Sequence, residues 1–299
     1  MQAVAKTRGV VVSGIEGIVV EVEARISSQL PRVDIVGLPE AAVRESVARV
    51  RAAIAACGER FPDRRVTVTL APAEIRKGGG SLDLPIATAI LEAAGAVPGG
   101  AAARVALLGE LALDGRVRPV RGALAAADGV RRAGLSELVV PGANGAEAAL
   151  VAGLRVRTCD SLAEWIAALR GADTLPEATP AATEKPADHS DLRDVRGQER
   201  AKRALVLAAA GGHGLLFRGP PGAGKTLLAS RLPGLLPPLG PDEALEVARI
   251  HGAVAGAPLL RLPRTRPFRA PHHGSSAAGL FGGGQPARPG EVSLAHRGV

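Results

Sequence analysis

The sequence predicts an α/β protein in two parts: a mixed α/β domain over residues 1–170 and a second domain over residues 190–299, joined by a linker. Three observations carry that reading. Alternating strands are interleaved with helical spacing between residues 20 and 94, and a proline-bearing stretch without apolar periodicity follows at 171–189. From Gly214 to Leu232 an apolar run, a glycine-rich loop and a helical run then stand in direct succession. A chain of 299 residues is long enough for two domains with separate cores.

Val20, Val22, Ala24 and Ile26 alternate with Glu21, Glu23 and Arg25, the period of a strand with one buried face. "RVTVTL", Arg65 to Leu70, repeats that period. Between them Val43, Val47, Val50 and Ile54 recur at helical spacing, with Pro39 suited to the first turn and Gly58 to the C-terminal cap. A second helix is expected from Leu84 to about Ala94, capped by Asp83 and Gly95. "GADTLPEATPAATEKPADH", residues 171–189, reads as an exposed, extended linker. In the second part, Leu215 to Phe217 is expected as a strand entering the glycine-rich loop, and "PDEALEVARI" as a capped helix.

Composition narrows the function classes. No apolar run approaches the ~20 residues that span a bilayer, and the three valines before Ser13 are too few for a signal-peptide core. A cytoplasmic protein without a membrane partner is expected. Cys57 and Cys159 form neither a CxxC nor a Cys/His cluster, so no disulfide framework or zinc site is indicated. The net charge of +8 is unevenly placed: residues 190–299 hold 15 Lys/Arg against 7 Asp/Glu, whereas residues 1–189 hold 22 of each. A basic excess of this kind attracts polyanions such as nucleotides and nucleic acid, unless acidic residues elsewhere balance it.

"GPPGAGKT" carries the most specific chemistry. Gly219, Gly224, Lys225 and Thr226 fit G-x-x-x-x-G-K-[ST], and Pro220, Pro221, Gly222 and Ala223 complete the loop. Glycines let successive N–H groups turn toward phosphate oxygens, and the following helix adds the positive end of its dipole. Lys225 is expected to reach the β- and γ-phosphates of ATP, and Thr226 to supply a hydroxyl to Mg²⁺.

Other stretches carry a family resemblance. "DVRGQ", Asp194 to Gln198, resembles the segment beside the adenine in AAA+ ATPases, which implies base contacts from Val195 and Gly197. "RPFRAPHHGSSAAGLFGGG" and "RPGEVSLAHRGV" resemble motifs of magnesium-chelatase-like AAA+ proteins of the YifB/ComM type. The likeness extends to "IVGLPEAAVRESVARVRAAI", "RRVTVTLAPAEIRKGGGSLDLPIA" and "GELALDGRVRPVRG" in the first part. It implies an N-terminal Lon-protease-like (ribosomal S5 domain 2-like) α+β domain followed by an incomplete P-loop AAA+ domain. It further implies ATP and Mg²⁺ as cofactors, a homo-oligomeric ring and a DNA motor that drives branch migration. A magnesium-chelatase subunit and a non-hydrolysing nucleotide-binding module are the alternatives.

Lon-type proteases carry their nucleophile where Ser81 stands, and a Ser-Lys mechanism needs a lysine as general base. Leu124 occupies the matching lysine position, and Lys77, four residues from Ser81, lies on the approaching loop. A non-proteolytic domain is expected, with Ser81 and Asp83 in a structural turn near a helix N-terminus and the Gly78 to Gly80 loop left open to an anion or nucleic-acid contact. His272 and His273 lack a third ligand at zinc spacing and read as loop residues. Arg261, Arg264, Arg266 and Arg269 around Phe268 are candidate DNA-phosphate contacts or a solvated basic loop.

After Thr226 the acids are Asp242, Glu243, Glu246 and Glu291, none of which ends an apolar strand. In the resembled family, "SLAHRGV" leads into the strand that carries the Walker B acids. The sequence therefore shows no catalytic acid, and ATP binding without turnover by this chain alone is expected.

Overall fold

The computed structural model of the protein describes residues 4–180, 191–254, 259–284 and 288–299. The chain divides into two compact units. One holds the residues up to 180 together with 259–261, and the other holds 191–254 and the described residues from 262 onward.

The first unit runs β1 (Ala5–Ser13), β2 (Glu16–Ser27), β3 (Arg32–Val36), α1 (Ala41–Ala56), β4 (Arg65–Ala71), α2 (Asp83–Ala93), β5 (Val105–Leu107), β6 (Glu110–Leu111) and β7 (Val117–Arg118). It continues through α3 (Ala123–Arg132), β8 (Glu137–Val140), α4 (Gly142–Ala148), β9 (Arg155–Thr158) and α5 (Leu162–Leu169). Seven strands form one sheet in the order β3-β4-β2-β1-β5-β8-β9, and β6 pairs with β7 in a small separate ribbon. The β1–β2 and β2–β4 pairs are antiparallel, and the other four ladders of the large sheet are parallel. The result is a mixed α/β fold with a mostly parallel sheet.

Strand periodicity sets the layers. Val20, Val22 and Ala24 of β2 and Val66, Val68 and Leu70 of β4 face a core closed by Val50 and Ile54 of α1, Leu84 and Ile90 of α2, and Trp165 of α5. Burying each such large apolar side chain stabilises the fold by about 1.5–3 kcal/mol. On the opposite face, a Cβ at Gly17 of β2 would meet the backbone of Ala125 and Ala126, and one at Gly129 would meet the backbone of Gly17. Helix α3 therefore lies against the sheet backbone to backbone, a separation that only glycine allows.

Three expectations need correction here. Pro39 precedes Glu40, the N-cap of α1, so it lies outside the first turn, while Gly58 takes the expected left-handed C-terminal position at φ 76°. Asp83 is the first residue of α2 and caps nothing; its carboxylate is drawn instead to Arg49, whose guanidinium gives it two charge-assisted hydrogen bonds. Residues 174–178, expected in an exposed linker, run along β9. Pro176 accepts from the Thr158 N–H, the Ala178 N–H donates to Val156, and Leu175 is buried in the core. Residues 181–189 of the expected linker lie outside the described residues.

The second unit opens with a 3₁₀ turn at Leu192–Asp194, followed by α6 (Glu199–Gly211), α7 (Lys225–Ala229), α8 (Leu232–Leu235) and α9 (Pro241–Gly252). It ends with α10 (Ala277–Phe281), β10 (Gly282–Gly283), β11 (Arg288–Pro289) and α11 (Glu291–Leu294). Helix α9 begins as its sequence predicts: Pro241 opens it, and the Glu243 carboxylate accepts from the Gly240 N–H at 3.2 Å. Leu239, Ala244 and Val247 make a small core with Leu262. The strand expected at Leu215 to Phe217 is not formed, and Leu216 is 80% exposed. A strand exists only where a neighbour takes its N–H and C=O groups, and among the described residues of this unit only β10 and β11 pair.

Candidate functional site

The glycine-rich loop turns through Gly222 at φ 79° and Gly224 at φ 77°, backbone that side-chain-bearing residues rarely adopt, and α7 begins at Lys225. A Cβ added at Gly222 would meet nothing within 4 Å, so the left-handed backbone, not crowding, requires glycine there. The Lys225 ammonium folds back over the loop and donates to the Gly219 carbonyl at 2.9 Å and the Pro220 carbonyl at 2.8 Å. Among the described residues, no backbone carbonyl accepts from the N–H of Gly222, Gly224, Lys225 or Thr226. Thr226 is exposed in the first turn of α7, with Pro221 exposed and Ala223 half-buried in the loop. The loop thus presents N–H donors, a hydroxyl and a movable ammonium, a donor set that suits a phosphate chain with a bound Mg²⁺.

The segment expected beside the base lies in the same unit. Val195 is buried, and Gly197 is left-handed at φ 63°. Asp194 reaches Arg231, just beyond α7, at 3.9 Å. Gln198, also left-handed at φ 59°, donates its side-chain amide to the Ala223 carbonyl at 2.9 Å. Sequence reasoning placed Gln198 inside the base segment and missed its contact with the phosphate loop. The two stretches stand 25 residues apart, and no local pattern announces such a bond.

The four candidate arginines do not form one patch of free cations. Arg261 falls in the first unit, and Arg264 is exposed in the second. Arg266, only 14% exposed, donates to the Pro237 and Arg297 carbonyls and to Glu243 at 2.7–2.9 Å. Arg269 makes a bidentate pair with Glu291 at 2.6 and 2.5 Å. These last two brace the fold, because carboxylates and carbonyls brought close by the chain's return outcompete solvent for their donors. Glu246 pairs with Arg297 and His296, which hold its carboxyl well below the usual range, at about 2. The His272 and His273 rings lie tilted by 37° with centroids 4.0 Å apart, and His272 Nδ1 accepts from the Gly274 N–H.

In the first unit, Ser81 and Lys77 do not meet as a nucleophile and its base. The Ser81 hydroxyl donates to the Val10 carbonyl at 3.1 Å. Lys77 is fully buried and donates to the Gly37 and Pro72 carbonyls, and burial lowers its pKa. Leu124 is buried in α3. A cavity of about 310 Å³ lies beside Ser81, lined by Gly78, Gly79, Gly80, Glu110 and Arg121.

Comparison with known proteins places both parts. Residues 191–299 match the family model described as "Magnesium chelatase, subunit ChlI", and residues 22–144 match "Subunit ChlI of Mg-chelatase". An uncharacterized protein of Mycobacterium tuberculosis (strain H37Rv) is 48% identical over 302 residues, covering 99% of this chain and 59% of that protein. The uncharacterized protein YifB of Escherichia coli K12 is 43% identical over 286 residues, covering 96% of this chain and 56% of YifB. Competence protein ComM of Haemophilus influenzae is 41% identical over 291 residues, covering 96% of this chain and 57% of ComM.

The chain belongs to the YifB/ComM-type magnesium-chelatase-like family.

It spans somewhat more than half the length of these curated relatives. The family is AAA+-like. None of the described helices is long and apolar enough to cross a membrane.

Proposed function

We propose that residues 191–299 form the nucleotide-binding part of an AAA+ motor, with ATP and Mg²⁺ held by Gly219 to Thr226 and the base lying beside Val195 and Gly197. The observation that carries this is the loop itself: N–H groups from which no backbone carbonyl among the described residues accepts, two left-handed glycines, and an ammonium resting on carbonyls it can exchange for phosphate oxygens. The first unit is a non-proteolytic Lon-like domain in this reading, supported by the engagement of Ser81 and Lys77 with other partners. The whole protein is a cytoplasmic homo-oligomeric ring that works on DNA. The basic excess of residues 190–299 and the likeness to a competence protein support that substrate.

This chain alone binds ATP without steady turnover. Bound Mg²⁺ would neutralise phosphate charge, but hydrolysis also needs a group that positions the attacking water. Among the described residues after Thr226, Asp242, Glu243, Glu246 and Glu291 all lie on helices α9 and α11, and the last three are held in ion pairs with arginines. Steady ATP hydrolysis that Lys225→Ala abolishes would overturn this part.

A second reading is a subunit that drives metal insertion into a porphyrin, favoured by the descriptions of both matching family models. Forked-DNA binding measured across salt concentrations separates the two. A motor's affinity falls steeply as salt rises, since phosphate contacts release counterions. Absence of binding at any salt counts against DNA and leaves the chelatase reading.

A further inference from the structure

We propose that Gln198 is a positioning residue for the phosphate loop, holding the Ala223–Gly224 peptide so that its N–H is presented to phosphate. The bond itself is explicit: Gln198 Nε2 donates to the Ala223 carbonyl at 2.9 Å, and the same nitrogen lies 3.1 Å from where a Cβ on Gly224 would stand. A trans peptide is planar with its C=O and N–H opposed. Fixing the Ala223 carbonyl on Gln198 therefore turns the Gly224 N–H away from Gln198, and no backbone carbonyl among the described residues accepts from it.

The position is built at a cost. Gln198 follows left-handed Gly197 and is itself at φ 59°, one of three non-glycine residues with positive φ among the described residues. A residue with a side chain is strained in that backbone, a strain that glycine would avoid. The Gln198 carbonyl meanwhile accepts from the Lys202 N–H at 3.0 Å, so the backbone starts α6 while the side chain reaches the loop. Asp194 adds a longer tie, at 3.9 Å, to Arg231 just beyond α7, the helix that the loop enters. The segment expected beside the base thus orients the loop expected to hold the phosphates, and the two act as one site.

This inference rests on the nucleotide reading of the loop, and a ligand without a base separates the two. Binding of ATP and of inorganic tripolyphosphate, each with Mg²⁺, is measured on the whole chain for wild type, Gln198→Met, Gln198→Gly and Lys225→Ala. Methionine keeps the volume without a donor. Glycine removes the amide while favouring the left-handed backbone, so a loss in that variant does not come from strain. The expected result is that both Gln198 variants weaken ATP and tripolyphosphate alike, roughly 3- to 10-fold, the net worth of one hydrogen bond. Lys225→Ala is expected to weaken both more. If Gln198→Met and Gln198→Gly bind tripolyphosphate as wild type does while Lys225→Ala does not, Gln198 does not position the loop, although the phosphate site stands. If wild type binds neither ligand, or Lys225→Ala changes neither, both readings fall together.

Discussion

Asp83 offers a test in which burial and ion pairing oppose each other. Its carboxylate is 1% exposed, accepts from Arg49 Nε at 2.7 Å and Nη2 at 3.0 Å, and takes the Leu111 N–H at 3.1 Å. The partners are unequal, because Arg49 keeps 22% of its side chain in solvent while Asp83 keeps almost none. Burial therefore wins and pushes Asp83 up to about 6, against the pull of Arg49 and the Leu111 N–H. A folded pKa raised above the unfolded value of about 3.9 contributes stability that is full below pH 4 and lost as pH rises through 6. Two units correspond to about 3 kcal/mol. Asp83→Asn cannot titrate, yet its amide oxygen can still accept one of these bonds. The stability of wild type minus that of Asp83→Asn should fall by about 3 kcal/mol between pH 4 and pH 8. The single tryptophan reports it: Trp165 Nε1–H donates to Thr88 in α2, the helix that Asp83 begins, so urea unfolding followed by its fluorescence reads this unit. A flat difference would refute the shift. A difference that grows with pH would show that the Arg49 pair outweighs burial.

Other consequences follow from the same geometry. Gly129→Ala places a methyl against the Gly17 carbonyl; the overpacking, about 1–3 kcal/mol, exceeds the roughly 1 kcal/mol gained in helix propensity, so thermal unfolding should come several degrees earlier. An unchanged or raised Tm would show that α3 can shift off the sheet. Cys159 donates to the Ser161 carbonyl, and burial pushes its thiol up to about 12, while the half-buried Cys57 is also raised. Thiol labelling of the folded protein at pH 8 should therefore reach Cys57 slowly and Cys159 only after denaturation; rapid labelling of Cys159 would contradict its burial.

Much of the first unit was legible because its signals are local. The alternation through Val20, Val22 and Ala24 marks β2, and Gly58 and Gly95 stop their helices in left-handed backbone. Signals failed where a distant partner decides the outcome. Asp83 looks like a helix cap until Arg49, 34 residues earlier, competes for it. The prolines of residues 171–180 look like linker until β9 offers hydrogen bonds to Pro176 and Ala178. Lys77 stands just before the Gly78 to Gly80 loop, and carbonyls at Gly37 and Pro72, 40 and 5 residues earlier, take its ammonium into the interior. In the second unit the loop and the start of α7 follow the motif, because glycine placement is itself a backbone instruction. Leu215 to Phe217 failed to become a strand for the opposite reason: apolar composition proposes a strand, but only a neighbouring strand completes it.

The central claim is that the loop from Gly219 to Thr226 holds nucleotide phosphates through Lys225. Its most direct test is equilibrium titration of the chain with a fluorescent ATP analogue and Mg²⁺, wild type against Lys225→Ala. Losing one ammonium that bonds phosphate costs about 1.5–3 kcal/mol, so the account predicts saturable binding by wild type and at least about tenfold weaker binding by the variant. Equal affinity in the two proteins would contradict it.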